Sequence, residues 1–103
     1  STMVNAIEYP QVESIMHFEQ GQIEVLKLPI PAYSPIAGLS LAQIAQDPNF
    51  PEGLLIIGYQ AHPHEDLVIP NGNTVIEVAS TVLMVTKPGA LHQVIDYMQG
   101  SEK

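Results

Sequence analysis

Two unbroken apolar runs, Leu54-Leu55-Ile56-Ile57 and Val82-Leu83-Met84-Val85, constrain this chain more than any other feature. Both have strand length and neither alternates with polar residues. The first is therefore predicted to be a central strand covered on both faces, and the second, from Thr81 to Thr86, a buried strand. No helical periodicity separates them. Ala61 to Glu65 reads as a polar loop, Asp66 to Pro70 and Thr74 to Val78 as short strands, and Asn71-Gly72-Asn73 as the turn between them. Consecutive strands without helices between them point to an α+β fold. The expected form is a two-layer sandwich, a small mixed or antiparallel sheet with helices on one face.

Three helices are predicted around that sheet. Pro10 suits a first helical turn, and Val12, Ile15, Met16 and Glu19 give an apolar stripe with a polar far side. A helix from about Tyr9 to Glu19 is expected, stopped by Gly21. Ser40-Leu41-Ala42-Gln43 has capping-box form and starts a short helix carrying Leu41, Ile44 and Ala45, which Asp47-Pro48 ends. Pro88 opens a last helix whose Leu91, Val94, Ile95 and Met98 form one stripe, with Gly100 at its end. Between the first two helices, Ile23 to Ile30 reads as a strand with Leu26, Leu28 and Ile30 on one face and Glu24 opposite. The three prolines of Pro29-Ile30-Pro31-Ala32-Tyr33-Ser34-Pro35 then predict an extended segment along the surface or a sheet edge. The organisation is an N-terminal linker helix over residues 1–21 followed by one domain over 22–103, in the order β-α-β-β-β-α. The abrupt start at Val4-Asn5-Ala6-Ile7, after Ser1-Thr2-Met3, suggests a piece of a longer polypeptide.

Charge narrows the function classes. Eleven acidic residues face three lysines (Lys27, Lys87 and Lys103) and no arginine, a formal net charge of −8. Nucleic-acid binding needs a cationic footprint to neutralise phosphates, so no nucleic-acid partner is expected. An anionic lipid surface is unfavourable for the same reason. No apolar run approaches the ~20 residues of a membrane helix, so direct membrane insertion is not expected. The absence of cysteine excludes disulfides and thiolate metal sites and fits a reducing compartment.

No catalytic constellation is present. Ser14, Ser34, Ser40 and Ser80 lie in no nucleophile elbow, and there is neither a phosphate loop nor Gly-x-Gly-x-x-Gly, so the chain is read as non-enzymatic. The densest polar stretch is His62-Pro63-His64-Glu65-Asp66. Its imidazoles and carboxylates are candidate ligands for a divalent metal, His62, His64 and Asp66 foremost, although the spacing matches no structural zinc pattern. The same residues suit an ordinary solvated loop. His17 and His92 read as surface positions on helices. The apolar content exceeds what one sheet face can bury, with Ile23, Val25, Leu26, Leu28, Ile30, Ile36, Leu39 and Leu41 in one short span. Self-association about a two-fold axis is the simplest way to cover the remainder.

The order of elements resembles the TrkA-C domain, the regulatory module that follows the nucleotide-binding RCK domain of potassium channels and transporters. Ile23-Glu24-Val25 matches its first strand. Ser34-Pro35-Ile36-Ala37-Gly38-Leu39-Ser40-Leu41 matches the Ser-Pro-x-x-Gly-x-x-Leu lead into its short helix. Pro51-Glu52-Gly53-Leu54-Leu55-Ile56-Ile57-Gly58 is similar to its second strand. Ile69-Pro70-Asn71-Gly72-Asn73-Thr74-Val75-Ile76 is similar to its Pro-x-x-x-Thr hairpin, and Leu83-Met84-Val85-Thr86 with the closing helix completes the pattern. The resemblance spans about Gln22 to Met98. Gln60 stands where the family often has Arg, and Ala79-Ser80 where it usually has Gly-Asp.

The resemblance implies a homodimeric, ligand-sensing regulatory domain of a potassium channel or potassium uptake transporter. Its implied partners are an upstream nucleotide-binding RCK domain and a membrane channel or transporter subunit, and its implied location is cytoplasmic, beside or fused to an inner-membrane transport protein. The implied effectors are a cyclic dinucleotide or a divalent cation; the lack of arginine disfavours the former. The alternatives are the same module attached to another transporter or anion permease, or a small metal-binding protein using the loop from His62 to Glu65.

Overall fold

In the computed structural model, which describes residues 2–4, 14–18 and 23–99, the elements run β1 (Thr2–Val4), β2 (Ser14–Phe18), β3 (Ile23–Pro29), α1 (Leu41–Ala45), β4 (Leu54–Gln60), β5 (Thr81–Thr86) and α2 (Leu91–Gln99). The strands form one antiparallel sheet in the order β1-β2-β3-β5-β4. The α+β architecture expected from the sequence is present.

Alternation builds the core. Along β3, Glu24, Leu26 and Leu28 face one side, and register places Val82, Met84 and Thr86 of β5 beside them. These residues join Ile44 of α1 and Val94, Ile95 and Met98 of α2 in one buried cluster, so both helices cover the same sheet face. On β4 a bulge between Ile56 and Gly58 shifts the phase. Leu54 and Ile56 lie opposite Thr86 and Met84, and beyond the bulge Tyr59 lies opposite Val82 and is buried.

Local signals account for α1. Gln43 N–H donates to Ser40 Oγ (3.2 Å) and Ser40 N–H donates to Gln43 Oε1 (2.9 Å), the reciprocal capping box. The next amides of its first turn are met from far along the chain: Leu41 N–H donates to Thr74 O and Ala42 N–H to Gly72 O, each at 3.0 Å. The turn supplying those carbonyls is closed by Asn73 N–H to Asn71 Oδ1 (2.8 Å) and Asn71 N–H to Thr74 Oγ1 (3.0 Å).

Several expectations are corrected. Residues 14–18, inside the expected N-terminal helix, form strand β2 paired along β3. The spacing of Ile15 and Met16 suits either period, and pairing with β3 satisfies the backbone. The rest of that expected helix, like Gly100, lies outside the described residues. β4 is an edge strand rather than a central one, with Leu55 63% exposed. Glu24 shares the face of Leu26 and is only 9% exposed, as the period of two requires. The expected strands 66–70 and 74–78 shrink to single bridges, Val68 with Tyr59 and Val75 with Ser40. The proline segment turns instead of running extended, through Ser34 N–H to Pro31 O and Ala37 N–H to Ser34 O.

Candidate interaction surface

β4 is the outermost strand on its side of the described sheet. At Tyr59 the outer edge of this strand is paired, Tyr59 and Val68 exchanging both backbone hydrogen bonds at 2.9 Å. Over residues 54–57 no strand among the described residues lies beyond it. An apolar hollow flanks the bare stretch on each face. One, about 220 Å³, lies between it and α1 and is lined by Leu41, Ile44, Phe50, Leu54, Leu55 and Ile56. The other, about 380 Å³, lies on the face away from the helices and is lined by Ile23, Leu54, Leu55, Val85 and Lys87.

The loop beyond β4 adds more apolar surface. Leu67, Val68, Ile69, Val75 and Val78 are exposed, Ile69 to 88%. Leu67 rests against Gly58, where a Cβ would meet its Cδ2 at 3.3 Å and Leu83 Cβ at 3.0 Å, so a larger residue there would push the loop away. Tyr59 Oη accepts from Glu77 N–H at 3.3 Å, tying the same loop to the core. This surface was legible only as an apolar excess. The run Leu67-Val68-Ile69 looks like strand in sequence, and nothing in it says that the chain would leave it uncovered.

Gln60, the position where the resemblance suggests arginine, acts locally. Its Nε2 donates to Glu65 O at 2.8 Å and holds the 61–66 loop against the end of β4. His62, His64, Glu65 and Asp66 are exposed on that loop. Among the described residues no group of three or more His, Asp or Glu side chains is placed to hold a metal ion, these included. His17 lies on β2, and His92 Nε2 stands 3.2 Å from Asp96 Oδ2 on the exposed side of α2. Ala79 and Ser80 fill their positions differently. Ala79 adopts φ 71°, the left-handed conformation in which glycine is easiest, while buried Ser80 donates from Oγ to Glu77 O at 2.6 Å.

The wall beside the first hollow is braced by a polar contact. Tyr97 Oη donates to Asp47 Oδ2 at 2.6 Å, and the Phe50 and Tyr97 rings meet edge to face at 5.7 Å. The Tyr97 hydroxyl, then the Asn49 N–H, hold the Asp47 carboxyl below its ordinary range. Burial first, then Asp47, pushes the Tyr97 phenol well above its ordinary value. At neutral pH the phenol is protonated and donates. Among the described residues no helix is long and apolar enough to cross a membrane.

Comparison with known proteins follows the same outline. A family model of the TrkA-C domain matches residues 25–99. No curated protein matches the sequence. Among solved structures, the GsuK RCK domain is similar with a TM-score of 0.64 and 22% identity, over 86% of this chain and 18% of that one. The GsuK channel gives 0.66 and 20%, over 86% and 15%. The GsuK channel bound to NAD gives 0.60 and 22%, over 94% and 17%. The chain thus spans less than a fifth of the length of these solved chains.

Proposed function

The chain belongs to the TrkA-C domain family, and from that premise we propose that it is the effector-sensing and pairing domain of a potassium channel or potassium uptake transporter. The match over residues 25–99 carries this reading. The RCK fold of the GsuK structures and the exposed apolar surface beside β4 support it. In this reading residues 22–103 make up the regulatory unit, on the cytoplasmic side of the membrane. An upstream nucleotide-binding domain and a membrane subunit belong to the rest of the assembly. The NAD held by the GsuK channel is then chemistry for such an upstream domain, because this chain has no Gly-x-Gly-x-x-Gly turn to cradle a pyrophosphate.

Regulation would work by population shift. Two copies of the domain pair in more than one arrangement, and an effector that binds one arrangement better moves the population toward it, by no more than its differential affinity. Such coupling is typically ~1–3 kcal/mol. The chain has no guanidinium to grip phosphates bidentately, so a cyclic dinucleotide would be held by backbone amides and apolar contact with its bases. A divalent cation would use carboxylate and imidazole groups.

Thermal unfolding with cyclic di-adenosine monophosphate, Ca²⁺ or Zn²⁺ tests the reading, since a ligand of the native state raises Tm by mass action. A saturating rise with one of them, accompanied by a change in sedimentation, is expected. A flat response to all three, from a chain that sediments as a monomer at every micromolar concentration, would sink it.

A further inference from the structure

We propose that Asn71-Gly72 is a site of spontaneous backbone isomerisation, and that its isoaspartyl product releases the carbonyls holding the first turn of α1. The site stands independently of the regulatory reading above.

Deamidation begins when a backbone nitrogen attacks the side-chain carbonyl carbon of the asparagine before it. Of Asn5, Asn49, Asn71 and Asn73, Asn71 alone is followed by glycine, whose missing side chain leaves the nitrogen open to approach. The fold adds to this. Asn71, Gly72 and Asn73 are exposed, so solvent base reaches the Gly72 N–H. Among the described residues that N–H meets no acceptor. Asn73 N–H donates to Asn71 Oδ1 at 2.8 Å, which puts a donor on the oxygen where negative charge develops during attack.

The step needs only water. Gly72 N–H gives its proton to solvent base, and the nitrogen bonds to Asn71 Cγ. The Cγ–Nδ2 bond breaks, and the leaving amide takes a proton from water to depart as ammonia. Water then opens the cyclic imide at either carbonyl. One opening gives aspartate. The other routes the main chain through the side-chain carbonyl and adds a methylene to the backbone.

That methylene falls in the turn that holds α1. Thr74 N–H donates to Asn71 O at 3.0 Å, and isomerisation makes this carbonyl a free carboxylate outside the main chain. The turn loses the closure that aims Gly72 O at Ala42 N–H and Thr74 O at Leu41 N–H. With five residues, α1 has too few internal bonds to stand without them. Leu41 and Ile44 line the hollow between α1 and β4, so the change reaches that surface through the helix.

Incubating the 103-residue chain at mildly alkaline pH, then peptide mapping that separates aspartyl from isoaspartyl forms, tests the site. Conversion at Asn71 is expected roughly tenfold or more faster than at Asn49 or Asn73, whose successors carry side chains. Gly72→Ala should slow it by a similar factor. The added Cβ would meet Ala42 Cβ at 3.7 Å, an ordinary contact, so the fold is kept. Amide hydrogen exchange on the isoaspartyl fraction tests the consequence. Leu41 and Ala42 are expected to lose protection while Val94, bonded to Ala90 O within the α2 region, keeps it. Asn71→Asp adds the charge without the methylene and should leave both α1 amides protected. Equal conversion at all the asparagines, or unchanged protection of Leu41 and Ala42 in the isoaspartyl chain, overturns the proposal. Loss of protection in Asn71→Asp overturns it as well, since charge alone would then release the helix.

Discussion

The two faces of the sheet are made from the same strands and much the same residues, yet they have different fates. Leu26, Leu28, Val82 and Met84 on the helix side are fully buried. Val25, Leu83 and Val85, their neighbours in sequence, are only half-buried, and Leu55 is largely exposed. An antiparallel sheet with one solvated face normally alternates apolar and polar residues, and β5 does not. The difference lies in cover, because α1 and α2 lie on one side alone. An apolar second face that neither described helix covers is a surface on which a partner gains most.

Mutation can break this contrast or sharpen it. The largest effect is expected from Met84→Ala, which opens a cavity under the helices and costs about 2–5 kcal/mol in urea unfolding. Leu55→Ala on the open side should cost under ~1 kcal/mol in the monomer, because little apolar area is withdrawn from water there. Equal losses would mean that the two faces do not differ in cover. Ser34→Ala comes next. The buried Ser34 hydroxyl donates to Met98 O and ties the end of α2 to the proline segment, so its removal strands a carbonyl and costs about 1–3 kcal/mol by the same measurement.

Two smaller effects lie where covered and open regions meet. Ala79→Gly relieves a left-handed backbone at the junction of the open loop with β5, and is expected to raise stability by about 1 kcal/mol. A lowered Tm would show that the alanine methyl contributes more than its backbone costs. Tyr97→Phe acts through pH. The Asp47 carboxyl is held below its ordinary 3.8, so its stabilisation is present above that value and lost as pH falls through the lowered one. Tyr97 is shifted upward, so its contribution persists below its ordinary 10.0 and declines only at higher pH. The phenylalanine variant should lose stability less steeply on acidification, since the largest cause of the Asp47 shift is gone. An unchanged acid limb in equilibrium unfolding would place the acid sensitivity elsewhere.

How much of this was readable in the chain depends on where each residue's neighbours come from. The capping box at Ser40 and Gln43 and the stripe of Val94, Ile95 and Met98 are local, and both stand as read. β2 was misread because Ile15 and Met16 satisfy a helical stripe as well as a strand, and pairing with β3 decides between them. The position of β4 at the edge was hidden for a similar reason. Leu54-Leu55-Ile56-Ile57 has the composition of a strand covered twice, and only topology shows that one side is bare. Of the candidate site, Gln60 and Ala79 stand out in the sequence as departures from a pattern. What they do there, steadying a loop and accepting a strained turn, needed coordinates to appear.

The five-residue α1 carries one more consequence. A helix that short has no standing of its own in water. Two of its opening amides are answered by carbonyls some thirty positions downstream, at Gly72 and Thr74. During folding, then, this turn of helix should be a late arrival, condensing only after the downstream turn from Asn71 to Thr74 has docked. A probe placed in it would time that docking and not any local event.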